Sequence, residues 1–180
     1  KRWLQVKIKV RLSDAGLRDA ERQIQVYKAT LNQKAQEFAK ALAQKGIDVA
    51  TVRFANAQYA GDNDVAVEHD PVQTPNGFAI VAHGKAVAFI EFGTGAMHSA
   101  YGGELPDGVG EHGTYGKENG KHKRWYYYGE SGNAGTYVDT VPGKGQLNYT
   151  DGNEPAMAMW GAVEEMASQV EATWREVWNS

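Results

Sequence analysis

The chain has 180 residues, of which 42% are hydrophobic and 23% charged; this is enough for one domain with a buried core and excludes full disorder. The formal net charge of −3 gives no basic excess of the kind that specific nucleic-acid binding needs, and there is no cysteine to form a disulfide or ligate zinc. Because no signal-peptide pattern and no run of about 18 apolar residues occurs, we expect no membrane contact.

The N-terminal quarter indicates a strand followed by one long helix. Apolar and polar side chains alternate over Trp3–Val10, which is the period of a half-buried strand. Ser13 or Asp14 is a candidate N-cap for the helix. Four apolar residues then recur at intervals of seven: Leu17, Ile24, Leu31 and Phe38. We predict an amphipathic helix over Asp14–Lys45 that ends at Gly46.

Short strands are predicted next, at Val49–Ala55, Val65–His69, Phe78–His83 and Ala86–Phe92. The last two would form a hairpin through a tight turn at Gly84-Lys85. Because both are apolar on both faces, we expect them to be central in the sheet or covered on both sides.

The composition changes between residues 93 and 152, which hold fifteen of the twenty-one glycines. Because each ordered glycine costs backbone entropy, we interpret this region as a long loop or hairpin arm inserted before the last helix. Within it, Arg124–Tyr128 is predicted to be a strand. The strings TYVDTV (136–141) and QLNYT (146–150) could each pair with that strand.

The C-terminal region indicates a second amphipathic helix. Pro155 is tolerated in a first helical turn, and Asp151 or Asn153 upstream is a candidate cap. An apolar stripe with steps of three and four follows: Met159, Val163, Met166, Val170, Trp174 and Val177. The predicted fold is α+β, a single domain over residues 1–180. In it, the long N-terminal helix and the C-terminal helix pack on one face of a mainly antiparallel sheet.

Motifs for catalysis, cofactors and metals are weak. The five histidines have no zinc-site spacing, and Ser131 lies in GESGN, which departs from the Gly-x-Ser-x-Gly of a nucleophile elbow. Gly93-Thr94-Gly95 is followed by neither a P-loop nor a dinucleotide-binding pattern. We therefore predict no catalytic residue, no metal ligand and no cofactor.

Glu91 is a charged residue on the apolar face of a predicted strand, directly before the glycines. One hypothesis is that its carboxylate accepts hydrogen bonds from the backbone amides of a structural turn at Gly93, Thr94 and Gly95. The alternative is a small hydrolase acting on sugars or cell wall, in which Glu91 and an acid of the arm would be the catalytic carboxylates.

The string RWYYY has two interpretations. Trp125, Tyr126, Tyr127 and Tyr128, beside basic residues, could stack on bases or sugars. The other interpretation is a packing surface of a β-hairpin, because aromatic residues are common in strands that bind no ligand.

The string VAFIEFGTG (87–95) resembles the tail-component family of long-tailed bacteriophages, which are small neck or tail-completion proteins. In that family a strand ends in Glu-aromatic-Gly-Thr-Gly, a variable loop with a Trp/Tyr-rich strand follows, and a Gly-x-x-Pro-type segment begins a C-terminal helix. Trp125–Tyr128 match the aromatic strand, and Gly152, Pro155 and Met159 match the start of the helix. The resemblance extends from about Ala79 to Ala172.

The resemblance implies a structural virion protein of the neck rather than an enzyme. It implies a hexameric or dodecameric ring, assembled in the host cytoplasm, that completes the tail by docking between the head connector and the tail tube. Trp125–Tyr128, Tyr101, Pro155 and Met159 are then candidate contacts with neighbouring subunits or with those partners.

Overall fold

The computed structural model of the protein describes Arg11, residues 13–94 and residues 124–179. Within these ranges the chain forms three helices and seven short strands, so the fold is mixed α+β as predicted. No helix in these ranges is both long and apolar enough to cross a membrane. The predicted strand Trp3–Val10 lies outside the described residues, as do the candidate site residues Gly95 and Tyr101.

Helix α1 comprises Asp14–Ala55 and continues well past its predicted end. The Ser13 hydroxyl accepts a hydrogen bond from the amide of Gly16 at 3.2 Å, which confirms Ser13 as the N-cap. Toward its C-terminal end α1 buries one face, formed by Ala43, Gly46, Ile47, Ala50 and Phe54. The prediction of a strand at Val49–Ala55 is therefore wrong, because this segment is helical and buries one face.

Gly46 does not end the helix, and that prediction is also wrong. A Cβ placed at Gly46 would lie 2.5 Å from Ile80 Cδ1 and 3.1 Å from Met166 Cγ. The glycine therefore serves close packing, since it lets two neighbouring segments approach the backbone of α1.

Four of the strands form two short antiparallel ladders. Strand β1 (Ala66–Val67) pairs with β4 (Ala82–His83), and β2 (Val72–Thr74) pairs with β3 (Gly77–Ala79). The predicted strand Val65–His69 is thus reduced to two residues, and the predicted strand Phe78–His83 is divided between two ladders.

The predicted hairpin with a strand at Ala86–Phe92 is wrong, because Val87–Phe92 forms helix α2. The chain turns at Gly84, where φ is +134°. Beyond the turn the Asp64 carboxylate accepts hydrogen bonds from the amides of Lys85 and Ala86, both at 2.9 Å. Because these amides lie just before α2, the carboxylate directs the chain into a helix rather than into a second strand.

The last three strands form one antiparallel sheet. Strands β5 (Trp125–Tyr128) and β6 (Thr136–Val141) lie on either side of β7 (Gly145–Thr150). The predicted pairing of QLNYT with RWYYY is confirmed. The predicted pairing of TYVDTV with RWYYY is wrong, because β6 pairs with the central strand β7.

Helix α3 comprises Ala158–Asn179 and packs antiparallel against α1. Lys34 Nζ donates to the carbonyl of Val177 at 2.8 Å, and Arg53 Nη1 donates to the carbonyl of Met157 at 3.0 Å. The two contacts connect opposite ends of α3 with the middle and the end of α1. The first half of α1 therefore extends beyond the C-terminus of α3.

The face that α3 turns toward the protein differs from the predicted stripe. Its buried residues are small: Ala158, Gly161, Ala162 and Thr173. The Arg53 guanidinium lies where a Cβ of Gly161 would be, so a larger side chain here would displace it from its bond with the carbonyl of Met157. Three members of the predicted stripe are exposed: Val163, Val170 and Trp174.

We predict that Gly46→Leu lowers the free energy of unfolding by about 1–3 kcal/mol, since the added side chain overpacks the contact with Ile80 and Met166. Urea denaturation followed by circular dichroism measures the change. Ala29→Leu, the same kind of enlargement on the exposed surface of α1, is the control and should leave stability nearly unchanged. Equal stability of the two variants would contradict this account of Gly46.

Candidate functional site at the Glu91 junction

Glu91 lies on α2 and is almost fully buried, with 5% of its surface exposed. A buried carboxylate is unfavourable unless hydrogen bonds replace its hydration. Its Oε2 accepts a bond from the amide of Met159 at 2.9 Å, and its Oε1 accepts one from the amide of Trp160 at 3.1 Å. Both amides lie in the first turn of α3, where backbone donors lack helical partners and the helix dipole favours an anion. Glu91 therefore caps α3 from a separate helix.

The predicted kind of bond is thus present, with donors other than those predicted from the sequence. The carboxylate of Glu91 accepts backbone amides, but these belong to α3. In the predicted turn, the amide of Thr94 donates to the carbonyl of Asn153 at 2.9 Å instead. Glu91 fixes the start of the last helix rather than the glycine turn itself.

The backbone beside Glu91 is bound to the segment that leads into α3. The amide of Ala156 donates to the carbonyl of Ile90 at 2.8 Å, and the amide of Met157 donates to the carbonyl of Glu91 at 3.1 Å. Two segments far apart in sequence are therefore joined through both backbone and side chain.

A second set of bonds links Thr94 with Asn153. Their backbones bond in both directions, with N···O distances of 2.9 and 3.2 Å, and the Thr94 hydroxyl donates to Asn153 Oδ1. Asn153 Nδ2 also donates to the carbonyl of Phe89 at 3.1 Å. We call residues 89–94 and 153–160 together the Glu91 junction.

Gly93 is the point of closest approach in the Glu91 junction. Its φ is +75°, and a Cβ at this position would lie 2.8 Å from both Asn153 O and Pro155 N. Only glycine combines this backbone conformation with this contact. Pro155 therefore lies before α3 and against Gly93, not in the first helical turn as predicted. The side chain of Met159 is partly buried against the core.

The sequence-predicted residues Glu91, Gly93, Thr94, Pro155 and Met159 thus come together in one place. The core around them is built mainly from small residues, together with Phe54 and Ile90, and comprises Ala50, Phe54, Ala57, Ala86, Ile90, Ala158 and Ala162. Because alanines contribute little apolar area each, the hydrogen bonds of the junction carry a large part of the specificity of this packing.

The four predicted aromatic residues lie apart from the junction, on β5, and are divided between two faces. Tyr126 and Tyr128 are exposed, at 62% and 47%, and Trp125 and Tyr127 are partly buried on the other face. The Tyr127 hydroxyl donates to the carbonyl of Ser131 at 2.8 Å, and burial raises the pKa of Tyr127 above its ordinary value. Tyr126 and Tyr128 are therefore the members available for contact with another molecule.

Basic side chains accompany the exposed tyrosines. Tyr149 pairs with Tyr126 across the sheet, with ring centroids 6.1 Å apart, and the Arg124 guanidinium lies 4.4 Å from the Tyr149 centroid. The Arg124 Nε and Nη2 donate to the two oxygens of the Asp151 carboxylate at 2.7 and 3.0 Å. These hydrogen bonds raise the pKa of Arg124 above its ordinary value. We call Tyr126, Tyr128 and Tyr149 the tyrosine face.

Asn133 fixes this sheet to the end of α1. Its Oδ1 accepts a bond from the amide of Tyr59 at 2.7 Å, and its Nδ2 donates to the carbonyl of Ala57 at 3.0 Å. A polar cavity of about 310 Å³ lies beside this contact and is lined in part by Asp62 and Glu130. Glu91 is not among the cavity's lining residues.

Three polar residues that organise the structure were not predicted from the sequence in these roles. They are Asp64, Asn133, and Asn153 as the partner of Thr94. Asp64 and Asn133 lie in polar loops, and no local pattern ties either one to the distant amides it binds. Asn153 was considered only as a cap, although its position just before Glu-Pro marks a segment that cannot yet be helical.

Within the described residues no group of three or more His, Asp or Glu side chains is placed to hold a metal ion. Comparisons with protein-family models, with curated proteins and with solved structures find no match to this chain. We therefore infer a function from the residues themselves and from the resemblance described above.

We predict that Glu91→Gln lowers the free energy of unfolding by about 1–3 kcal/mol, because the amide side chain replaces one accepting oxygen with a donor that faces a backbone N–H. Chemical denaturation of the purified full chain measures this change. Glu154→Gln, at an exposed position of the same segment, is the control and should unfold like the parent. Indistinguishable denaturation curves for Glu91→Gln and the parent would contradict the role of Glu91 as the cap of α3.

The bonds of the Asp64 carboxylate to the amides of Lys85 and Ala86 predict a pH dependence of stability. Hydrogen bonds from the amides of Lys85 and then Ala86 lower the pKa of Asp64 in the folded state. This stabilisation is fully present above the unfolded-state pKa of about 3.9 and is lost as the pH falls through the folded-state pKa. The stability difference between the parent and Asp64→Asn should therefore shrink as the pH is lowered from 6 toward about 2.

Urea midpoints measured across this pH range test the Asp64 prediction. Asp62→Asn removes a neighbouring exposed carboxylate and should run parallel to the parent at every pH. A constant offset between the parent and Asp64→Asn would show that the carboxylate charge does not support the start of α2.

Proposed function

We propose that the protein is a structural virion protein of the phage neck, which completes the tail by forming a ring between the head connector and the tail tube. The observation that supports this most is the Glu91 junction. Two of the three sequence pieces that carry the resemblance meet in this junction: residues 89–94 of the VAFIEFGTG string, and the segment with Pro155 and Met159. They contact each other through Glu91, Thr94 and Asn153.

The chemistry of Glu91 favours this proposal over the hydrolase alternative. A catalytic acid or nucleophile needs an oxygen free to reach the substrate. Both oxygens of Glu91 already accept backbone amides, and the side chain is buried. A hydrolase acting on sugar or cell-wall substrate through Glu91 would have to break the cap of α3 to work.

The tyrosine face is the surface we assign to contact with neighbouring rings in this function. Exposed tyrosines beside a guanidinium have the composition that protein interfaces favour, because they bury a large area at a small cost in side-chain entropy. In the proposed neck, Tyr126 and Tyr128 contact either the connector or the tail tube. Self-association within the ring uses other surfaces of the chain.

Deletion of the gene from a phage that encodes this chain tests the proposed function. We expect DNA-filled heads without attached tails in electron micrographs, and loss of plaque formation. Wild-type protein supplied from a plasmid should restore both. Normal tailed, infectious particles after the deletion would overturn the proposal.

The same complementation assay tests the tyrosine face. The double variant Tyr126→Ser/Tyr128→Ser should fold but restore few tailed particles. Tyr137→Ser is the matched control, because Tyr137 is an exposed tyrosine of the same sheet that pairs with Asn148 rather than with Tyr149. Full complementation by the double variant would exclude this face as a docking surface. Loss of a hydrolytic activity in Glu91→Gln at unchanged stability would favour the hydrolase instead.

A further inference from the structure

The first half of α1 extends past the end of α3 and presents an apolar surface. Lys34 lies beside Val177, near the last residue of α3, so residues 14–33 of α1 continue beyond it. At 1.5 Å per residue this extension is roughly 30 Å long. It carries Leu17, Ile24 and Leu31 at heptad spacing, and each is 36% to 54% exposed. We call these three residues the α1 stripe.

A second apolar stripe lies on α3, beside the face of small residues that packs against α1. Val163, Val170 and Trp174 are 45% to 49% exposed, while the small residues of α3 face the protein. We call these three residues the α3 stripe. Val163 and Val170 are seven residues apart, which is the interval that separates the members of the α1 stripe. Two helices with the same interval can interdigitate over several turns.

One contact within the chain shows how the two stripes fit together. Phe38 continues the heptad series of the α1 stripe, and its ring meets the ring of Trp174 edge to face, with centroids 5.7 Å apart. The fourth member of the series is therefore already packed on the α3 stripe of its own chain. Leu17 and Ile24 lie ten or more residues before Lys34, which is roughly 15 Å or more along the helix axis, and so lie beyond the end of α3 of the same chain.

Charge favours contact between unlike helices of two copies. Helix α3 carries four glutamates and one arginine: Glu164, Glu165, Glu171, Glu176 and Arg175. The extended half of α1, residues 14–33, carries three basic and three acidic side chains, and Lys28 lies between Ile24 and Leu31 on the flank of the α1 stripe. Pairing two copies of α3 brings like net charges together, whereas pairing α3 with the neutral extension of α1 from another copy does not.

We propose that the α1 stripe of one copy packs on the α3 stripe of the next copy. This contact joins two different surfaces, so it is head-to-tail and each copy can bind one neighbour on either side. A head-to-tail contact closes into a ring when its rotation allows. The inference deepens the proposed ring assembly and rests on it for closure.

Complementary variants of the full chain test this contact. Ile24→Glu disrupts the α1 stripe and leaves the α3 stripe intact. Val170→Glu disrupts the α3 stripe and leaves the α1 stripe intact. We expect the parent to sediment as an oligomer and each variant alone to sediment as a monomer. An equimolar mixture should form a complex of two subunits and nothing larger, because only one intact pair of surfaces remains.

Val26→Glu is the matched control, because Val26 is an exposed valine about half a turn away from the α1 stripe on the same helix. It should assemble like the parent. The proposal is wrong if the parent is monomeric at all concentrations, if Val170→Glu keeps the parent's mass, or if the mixed variants stay monomeric. A loss of thermal stability in monomeric Ile24→Glu, without any change in mass, would place the α1 stripe in a contact within the chain and also overturn it.

The two proposals fail in distinguishable ways. If the mixture gives the two-subunit complex but gene deletion leaves tailed particles intact, the contact stands and the neck function is wrong. If deletion removes the tails but the variants assemble like the parent, the neck function stands and the ring is built through another surface.

Discussion

The bond between the Glu91 carboxylate and the first turn of α3 is the interaction on which the rest of the structure depends. A carboxylate this deeply buried is unfavourable unless its hydration is replaced. Here two backbone amides and the positive end of a 22-residue helix replace it. In return, α3 gains a cap that its own sequence does not supply, because the residue just before it is Met157. The Glu91 carboxylate thus gains donors in place of water, and two amides at the start of α3 gain the acceptor that they would otherwise lack.

The cap determines where α3 starts and therefore which of its faces meets α1. With Met159 and Trp160 held by Glu91, Gly161 lies under the Arg53 guanidinium, and the small residues that follow face inward. Gly93 contributes to the same alignment, since only a residue without a side chain lets the turn approach Pro155. A short polar network thus orients a helix whose apolar core contacts are mostly alanines.

Local patterns predicted the parts of this fold that depend on local chemistry. The Ser13 cap and the pairing of β5 with β7 follow from side-chain capping and from strand alternation, and both are observed. The sequence VAFIEF is different, because five apolar residues and one glutamate fit a buried strand or a buried helix equally well. In the structure, Asp64 binds two amides just before this helix from a loop more than twenty residues away. No periodicity within the segment carries that information. The prediction that Gly46 ends the helix is wrong for a similar reason. The close contacts that this glycine permits are with Ile80 and Met166, which are distant in sequence.

The stripe predicted on α3 shows what hydrophobic periodicity measures. Val163, Val170 and Trp174 form a real apolar row, yet the chain's own core covers the neighbouring face of small residues. A repeating apolar row indicates that some surface will cover it, and it does not specify whether that surface belongs to the same chain. The heptad series of α1 behaves in the same way: Phe38 is covered within the chain, and Leu17, Ile24 and Leu31 are exposed. One helical pattern is thus covered by the chain itself at Phe38 and exposed over its first three members. A subunit built for a ring would require this division, because each copy must leave apolar surface for the next.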